Sequence, residues 1–423
     1  MICPMPRRLL IFAALVAALL AGCGGGGGGG SSNTTPGSGG STVAAAANVL
    51  PIAVEQGPGD VINGLFTTVT ICVPGTNTCQ TIDHVQVDTG SSGLRIVWSV
   101  LNANMTLKNE TSGGQQVVEC TEFADGYTWG PVKLADVRAA GESAQSVPIQ
   151  VIGDPAYPAQ GMPNNCSNNG AGPAENTVAT FGANGLIGVG LFKQDCGVLC
   201  QSNDNGFYFL CPCTTSTGSS ALADLNLQVL NPVALFANDN NGVMIQLPSA
   251  PASGAPSLSG ALVFGIATQT NNGLGSAKVY TVDDTTGYFS TSYRNRPYTE
   301  SLLDTGSSVL FFNDNTIALC GDEPVDPGAG FYCPASPLSL SGDVTGQNND
   351  SAILDFQVAN ATNLLSNSNL WAFGNLAAPA GDNHTFIWGL PAFMGRKIYA
   401  VIEGQNVSNA STPDASVGPY FAF

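Results

Sequence analysis

Basic and imidazole side chains are scarce in this sequence, and their scarcity excludes several kinds of protein. Lys and Arg number 12 against 30 Asp and Glu, a formal net charge of −18. So acidic a surface repels nucleic acid and anionic lipid; it suits basic substrates, or simply solubility. Only two histidines, His84 and His384, are present. A Ser-His-Asp triad would have to use one of them, and no Gly-x-Ser-x-Gly elbow occurs. His84, four residues before Asp88, is expected to be structural. Charged residues make up 10% of the chain, with Lys and Glu rare and Gly (52), Ser, Thr, Asn and Val abundant. Exposed helices need Lys and Glu, so this balance predicts a mainly β protein of short strands and turns. The N-terminal apolar run, Leu9 to Leu20, covers 12 residues and is too short to span a bilayer.

That run follows Arg7 and Arg8 and has the length of a signal-peptide core. It ends in Leu20-Ala21-Gly22-Cys23, which resembles the bacterial lipobox, where cleavage precedes a Cys that becomes lipidated. The resemblance implies lipidation at Cys23. Gly24 after it implies sorting to the outer membrane, the membrane face being left open. Residues 24–30 are all Gly, and Ser, Thr, Pro and Ala follow. The run is not a phosphate loop, since no Lys-Ser/Thr follows it and no strand precedes it. Such a stretch buries too little to fold and reads as a tether, whose 25 residues reach roughly 25–30 Å as a coil. The expected organisation is a signal peptide over 1–22, a lipidated tether over 23–48, an N-terminal lobe over 49–268 and a C-terminal lobe over 269–423.

Twelve cysteines are present, of which Cys3 leaves with the signal peptide and Cys23 is the lipid site. An even number remains, which in an exported chain implies disulfides. Short loops favour Cys72–Cys79 and Cys320–Cys333. The cluster Cys196, Cys200, Cys211, Cys213 would close as a nested pair, Cys196–Cys213 around Cys200–Cys211, leaving Cys120–Cys166. Spacing alone leaves other connectivities open. The Cys211-Pro212-Cys213 spacing is not that of a zinc knuckle, and with two histidines no metal site is expected.

The sequence repeats itself. Asp88-Thr89-Gly90-Ser91-Ser92 recurs as Asp304-Thr305-Gly306-Ser307-Ser308. Each copy follows an apolar approach, Val85-Gln86-Val87 and Leu302-Leu303, and precedes another, Leu94-Arg95-Ile96-Val97 and Val309-Leu310-Phe311-Phe312. Further on, each has two apolar residues before a Gly: Leu186-Ile187-Gly188 and Ile387-Trp388-Gly389. A lone Asp-Thr-Gly is an ordinary turn. Two in matched apolar frames mark a duplicated half.

A doubled Asp-Thr-Gly with a later apolar-apolar-Gly in each half resembles the pepsin-like aspartic peptidases. The resemblance covers the chain from about residue 50 onward; Leu230-Asn231-Pro232-Val233 also resembles a signature of an uncharacterised bacterial lipoprotein family. It implies a bilobal β fold with pseudo-twofold-related lobes and a central cleft. It also implies an endopeptidase of extended peptides that needs no cofactor, with Asp88 and Asp304 as the catalytic pair. Two carboxylates within hydrogen-bond reach share one proton. The ionised member takes a proton from water while its partner donates to the carbonyl oxygen. The same resemblance makes Thr89 and Thr305 hydroxyls that lock each loop to the other. Gly90 and Gly306 allow close backbone approach, and Ser91 and Ser307 hold the outer carboxylate oxygens.

The chain departs from that family at the flap. The hairpin that closes the cleft usually carries a Tyr bonded to a Trp shortly after the first Asp. Here the Trp position reads Arg95, and the flap segment 122–137 puts Phe123 at the Tyr position, with Tyr127 the other candidate. Arg95, flanked by Leu94 and Ile96, should point toward the cleft or solvent. Glycosidases also pair carboxylates but do not need Thr-Gly-Ser after each. The alternative function is a catalytically silent pepsin-fold lipoprotein that binds peptides or proteins. Either way the expected partner is a peptide or protein. The expected chain is a monomer that meets the membrane only through its lipid and binds no nucleic acid.

Overall fold

The computed structural model describes residues 46–158, 162–163, 166, 172–211, 218–321, 326–407 and 416–423. The expected signal peptide, Cys23, the tether up to residue 45 and Cys213 lie outside them. Asn48, assigned to the tether, is already buried, with its Nδ2 donating to the Phe264 carbonyl at 2.9 Å. The protein is mainly β, as its Val-, Thr- and Gly-rich composition predicts, and its strands form barrel-like sheets. Strands exposed on one side alternate: in Ser351–Val358, Leu354, Phe356 and Val358 face inward while Asp355 and Gln357 face out. Ser92–Val97 is instead buried along its whole length. Described helices are single turns such as Val178–Phe181 and Ala361–Leu365. No helix among the described residues is long and apolar enough to cross a membrane.

Both copies of the repeat build the same local arrangement. Cys79–Asp88 runs parallel to Gly185–Val189, with Asp88 opposite Gly188. Gly185–Val189 in turn lies antiparallel to Ser92–Val97, with Gly188 opposite Gly93. In the second copy Arg296–Leu303 runs parallel to Thr385–Trp388, which lies antiparallel to Leu310–Phe311. The apolar-apolar-Gly segment thus threads between the two strands that flank each Asp loop. A Cβ on Gly188 would fall 2.7 Å from the Ser92 backbone, and one on Gly389 2.7 Å from the Ser307 carbonyl. Threading requires glycine at both points.

Among the described residues two sheets result, of 17 and 7 strands. The smaller lies between Phe289 and Trp388 in sequence, but the chain does not end there. Lys397–Val401 returns to pair with Gly242–Gln246, and Tyr420–Ala422 pairs with Val279–Thr281. One hydrophobic cluster runs through both sheets. Under the first Asp loop it is aliphatic: Val69, Val85, Val87, Ile96 and Ile187. Under the second it is aromatic, with Phe312 stacked on Phe386 at 5.1 Å and Phe386 beside Trp388 at 4.5 Å.

Cys72–Cys79, Cys120–Cys166 and Cys320–Cys333 are disulfides, as expected. The nested pairing is corrected: Cys196 bonds Cys200. The helical turn Val198–Ser202 starts right after Gly197 and brings their Cα atoms to 5.6 Å, within disulfide reach. Cys211 is also disulfide-bonded. His84 sits where the pairing of Leu65–Cys72 with Cys79–Asp88 shifts register, at a φ of 46°. Its Nδ1 is 3.2 Å from Asp83 and its ring packs on Phe66.

Candidate active site

The two Asp-Thr-Gly loops meet. Thr89 N donates to Thr305 Oγ1 at 3.0 Å, and Thr305 N donates to Thr89 Oγ1 at 3.0 Å. Each hydroxyl then donates across to the strand before the opposite Asp, Thr89 to the Leu303 carbonyl at 2.9 Å and Thr305 to the Val87 carbonyl at 2.8 Å. Both threonines are buried. Four hydrogen bonds in a closed reciprocal set fix one loop against the other, in a medium where an unmade bond would be costly.

This lock brings the acids together. The Asp88 and Asp304 carboxyls face each other: a Cβ on Gly306 would lie 2.7 Å from Asp88 Oδ1 and 3.1 Å from Asp304 Oδ1. A Cβ on Gly90 would lie 2.6 Å from Asp304 Oδ1. Only a residue with no side chain fits either position. The glycine N–H groups instead reach their own loop's acid, Gly90 to Asp88 Oδ1 and Gly306 to Asp304 Oδ1, both at 2.7 Å. Ser91 donates to Asp88 Oδ2, and Ser307 donates to Asp304 Oδ2 at 2.6 Å. Each carboxylate is therefore held at both oxygens by its own loop.

Asp88 is buried and Asp304 half-buried. Burial pushes the Asp304 carboxyl well above the ordinary carboxylate range. The adjacent Asp88 adds to this by its charge, and the Ser307 and Gly306 donors only partly offset it. Asp304 therefore keeps its proton more readily than an isolated aspartate would, as expected of an acid beside a second carboxyl. Among the described residues no three His, Cys, Asp or Glu side chains converge as a metal would require.

Behind the Asp88 loop lies a residue set that the repeat did not reveal. Asn231 is fully buried; its Nδ2 donates to the Gly190 carbonyl at 3.1 Å, and its Oδ1 accepts from Val233 N at 3.1 Å. The Asn-Pro pair therefore does more than turn the chain: it caps the turn Pro232–Leu235 and pins the Gly-rich segment against the loop. Gly190 N in turn donates to the Ser91 carbonyl at 2.9 Å.

The segment 122–137, expected as the flap, lies in a hairpin of Gln115–Glu122 and Tyr127–Ala139, closed by Phe123 N donating to the Gly126 carbonyl at 2.7 Å. Phe123 is half-buried at the turn, 6.0 Å from the Phe181 ring. Tyr127 packs into a cluster with Val118, Cys120, Trp129 and Cys166. Arg95 is not solvated. It is 1% exposed and donates from Nη2 to Glu119 Oε1 at 2.7 Å and to Asp195 Oδ2 at 2.8 Å. Its guanidinium carbon lies 6.0 Å from the Phe123 ring centre. The opposite face of this strand is filled by Leu94 and Ile96 in the core, so Arg95 turns toward the hairpin and meets acids there. Glu119 and Asp195 escaped the sequence reading; Glu119, an acid between Val118 and Cys120, had a legible signal, whereas Asp195, following Lys193 and Gln194, had none.

A family model described as "Protein of unknown function (DUF3443)" matches residues 44–423. No curated protein matches the chain. Among solved structures, the aspartic proteinase from Irpex lacteus is similar at 16% identity, covering 89% of this chain and 96% of that one with a TM-score of 0.46.

Proposed function

The chain belongs to that family of unknown function, and within it we propose that this member is an aspartic-type endopeptidase. It would bind an extended peptide in a cleft between two pseudo-twofold-related lobes, with Asp88 and Asp304 as the catalytic pair. The supporting observation is two carboxyls brought face to face by the reciprocal Thr89–Thr305 lock, each held by a backbone N–H and a serine hydroxyl of its own loop.

In this reading a water lies between the carboxyls. The ionised member takes one proton from it as the oxygen attacks the peptide carbonyl. The protonated member gives its proton to the carbonyl oxygen, and a neutral gem-diol forms with no charge to disperse. Collapse reverses the roles: one hydroxyl proton returns to a carboxylate, the other carboxyl protonates the leaving nitrogen, and the C–N bond breaks. The shared proton belongs to the pair, so acid and base are not fixed to one residue. Thr89 and Thr305 contribute by holding the carboxyl spacing through the cycle. The proposal includes the lipid anchor at Cys23, which would hold the monomeric enzyme at the bacterial outer membrane and leave its cleft open to peptides.

The test is a peptide-cleavage assay across pH with wild type, Asp88→Asn and Asp304→Asn. Each substitution should lower kcat by about a thousandfold or more, with the circular dichroism spectrum unchanged. Full activity in either variant would exclude the pair. One observation favours the second reading, a peptide-binding protein without turnover: Phe123 places no hydroxyl at the hairpin turn. Tight peptide binding by wild type with no hydrolysis at any pH would decide for it.

A further inference from the structure

Arg95 serves two acids with one nitrogen. Glu119 Oε1 and Asp195 Oδ2 both accept from Nη2, and all three side chains are buried. The remaining partners come from four other positions. Arg95 Nε donates to Thr121 Oγ1 at 3.2 Å, and Thr121 donates to Glu119 Oε1 at 2.6 Å. Tyr208 OH donates to Asp195 Oδ1 at 2.7 Å and accepts from Val229 N at 2.8 Å. Arg95 Nη1 donates to the Ser92 carbonyl at 2.9 Å. The titratable groups that face one another here are Arg95, Glu119, Asp195 and Tyr208. Among the described residues no second cation joins them.

One positive charge thus stands against two potential negative ones, sealed from water. An uncompensated buried carboxylate is strongly disfavoured, so the cluster is neutral only with one proton on its acids. Glu119 Oε2 is buried and without a hydrogen-bond partner, so an extra negative charge there would have nothing to meet it. Burial raises the Asp195 carboxyl well above its ordinary value, Glu119 adds to this, and Arg95 and Tyr208 oppose it less strongly. Burial would lower Arg95, but Glu119 and Asp195 outweigh that and keep it charged.

The two acids also come from different segments of the chain. Glu119 and Thr121 belong to the hairpin strand Gln115–Glu122. Asp195 follows the Gly185–Val189 strand, in the segment whose Phe192 carbonyl accepts from Ser92 Oγ at 2.8 Å, beside the Asp88 loop. Arg95 sits on the strand that leaves that loop. We propose that Arg95, Glu119 and Asp195 form a proton-dependent clamp that ties the hairpin to the Asp88 loop. With a proton on the acid pair the guanidinium bridges both sides, and Phe123 is held beside it. When the pair releases that proton to solvent, two carboxylates repel across one nitrogen, and the hairpin separates from the loop. Arg95 is then a positioning residue for whatever the hairpin covers.

Hydrogen exchange of the full-length protein tests this without turnover. Protection of the Gln115–Ala139 amides is compared with that of Lys397–Val401 at about pH 5 and about pH 8, bracketing a raised carboxyl. In wild type, hairpin protection should fall by at least about tenfold on raising the pH, one pKa unit being a factor of ten, while the reference strand is unchanged. Glu119→Gln and Asp195→Asn each remove one charge at nearly constant size, and in both the hairpin should stay protected at the higher pH. A pH-independent wild type, or variants that keep the wild-type response, would overturn the clamp. The catalytic consequence rests on the peptidase reading above: the alkaline limb of kcat/KM should move upward in Glu119→Gln. If exchange behaves as stated while no peptide is cleaved, the clamp stands and the peptidase reading falls.

Discussion

Gly90 and Gly306 occupy the place where each loop passes the other's acid, and space there is measured in tenths of an ångström. An alanine at Gly90 would put a methyl 2.6 Å from Asp304 Oδ1, against a carboxyl already fixed by Gly306 N and Ser307. The methyl cannot move, so the carboxyls must part. Gly90→Ala should cost cleavage at least about a hundredfold, the scale of a 1 Å misplacement of reacting groups, while global unfolding changes much less. Steady-state kinetics beside a denaturant titration separates the two. Ser91→Ala should act more gently. It removes one donor to Asp88 Oδ2, leaves the Gly90 N–H in place, and should raise the pH at which the acid limb of activity appears. An unchanged acid limb would mean that the Ser91 hydroxyl does not help carry the charge of the pair.

At the scale of the element, strand and threading segment form the unit that carries each acid, and the two copies are filled differently. The second rests on rings: Phe386 stacks on Phe312, touches Trp388, and meets Tyr298 edge-on at 5.5 Å. Phe386→Ala should therefore lower unfolding free energy by about 3–5 kcal/mol, measured by urea denaturation. Asn231→Ala removes a buried donor to Gly190 and a cap to Val233, and should cost about 1–3 kcal/mol. The repeat was readable in the sequence because a threading segment must be apolar and must end in glycine where it passes under the loop. Those demands leave letters. The Cys72–Cys79 hairpin was readable for a similar reason, its short loop allowing few alternatives. Cys196–Cys200 was not, because a one-turn helix of Val-Leu-Cys-Gln-Ser has no periodicity to announce it. Arg95 was misplaced because alternation along a strand says only which residues share a face. It cannot say that the face opposite Leu94 is roofed by Glu119 of another strand, 24 positions later.

Across the whole molecule, acids are held in two opposite ways, and their balance sets the pH at which the fold is most stable. Asp283, Asp314 and Asp382 have lowered pKa values. The Thr286 backbone N–H leads for Asp283; for Asp314 and Asp382 burial works the other way but is outweighed by hydroxyl and N–H donors. Their stabilisation is present above the unfolded carboxyl range, about 4, and disappears as pH falls through the lower folded values. Asp304 and Asp195 are raised, first by burial and then by a neighbouring acid, and Glu175 is raised to about 9 by burial and by Asp125. For these the sign reverses. The folded state binds the proton more tightly than the unfolded chain, so stability is fully present below about 4 and declines as pH rises through the raised folded values. A net charge of −18 at pH 7 adds self-repulsion in the same direction. The melting temperature at constant ionic strength should thus peak in mild acid, near the unfolded carboxyl range of about 4 to 5, and fall steadily toward about pH 9. Glu175→Gln should flatten the upper part of that fall, because an amide has no proton to lose. A melting temperature that climbs from mild acid to neutrality would mean that these acids, Asp304 among them, are ionised in the folded protein.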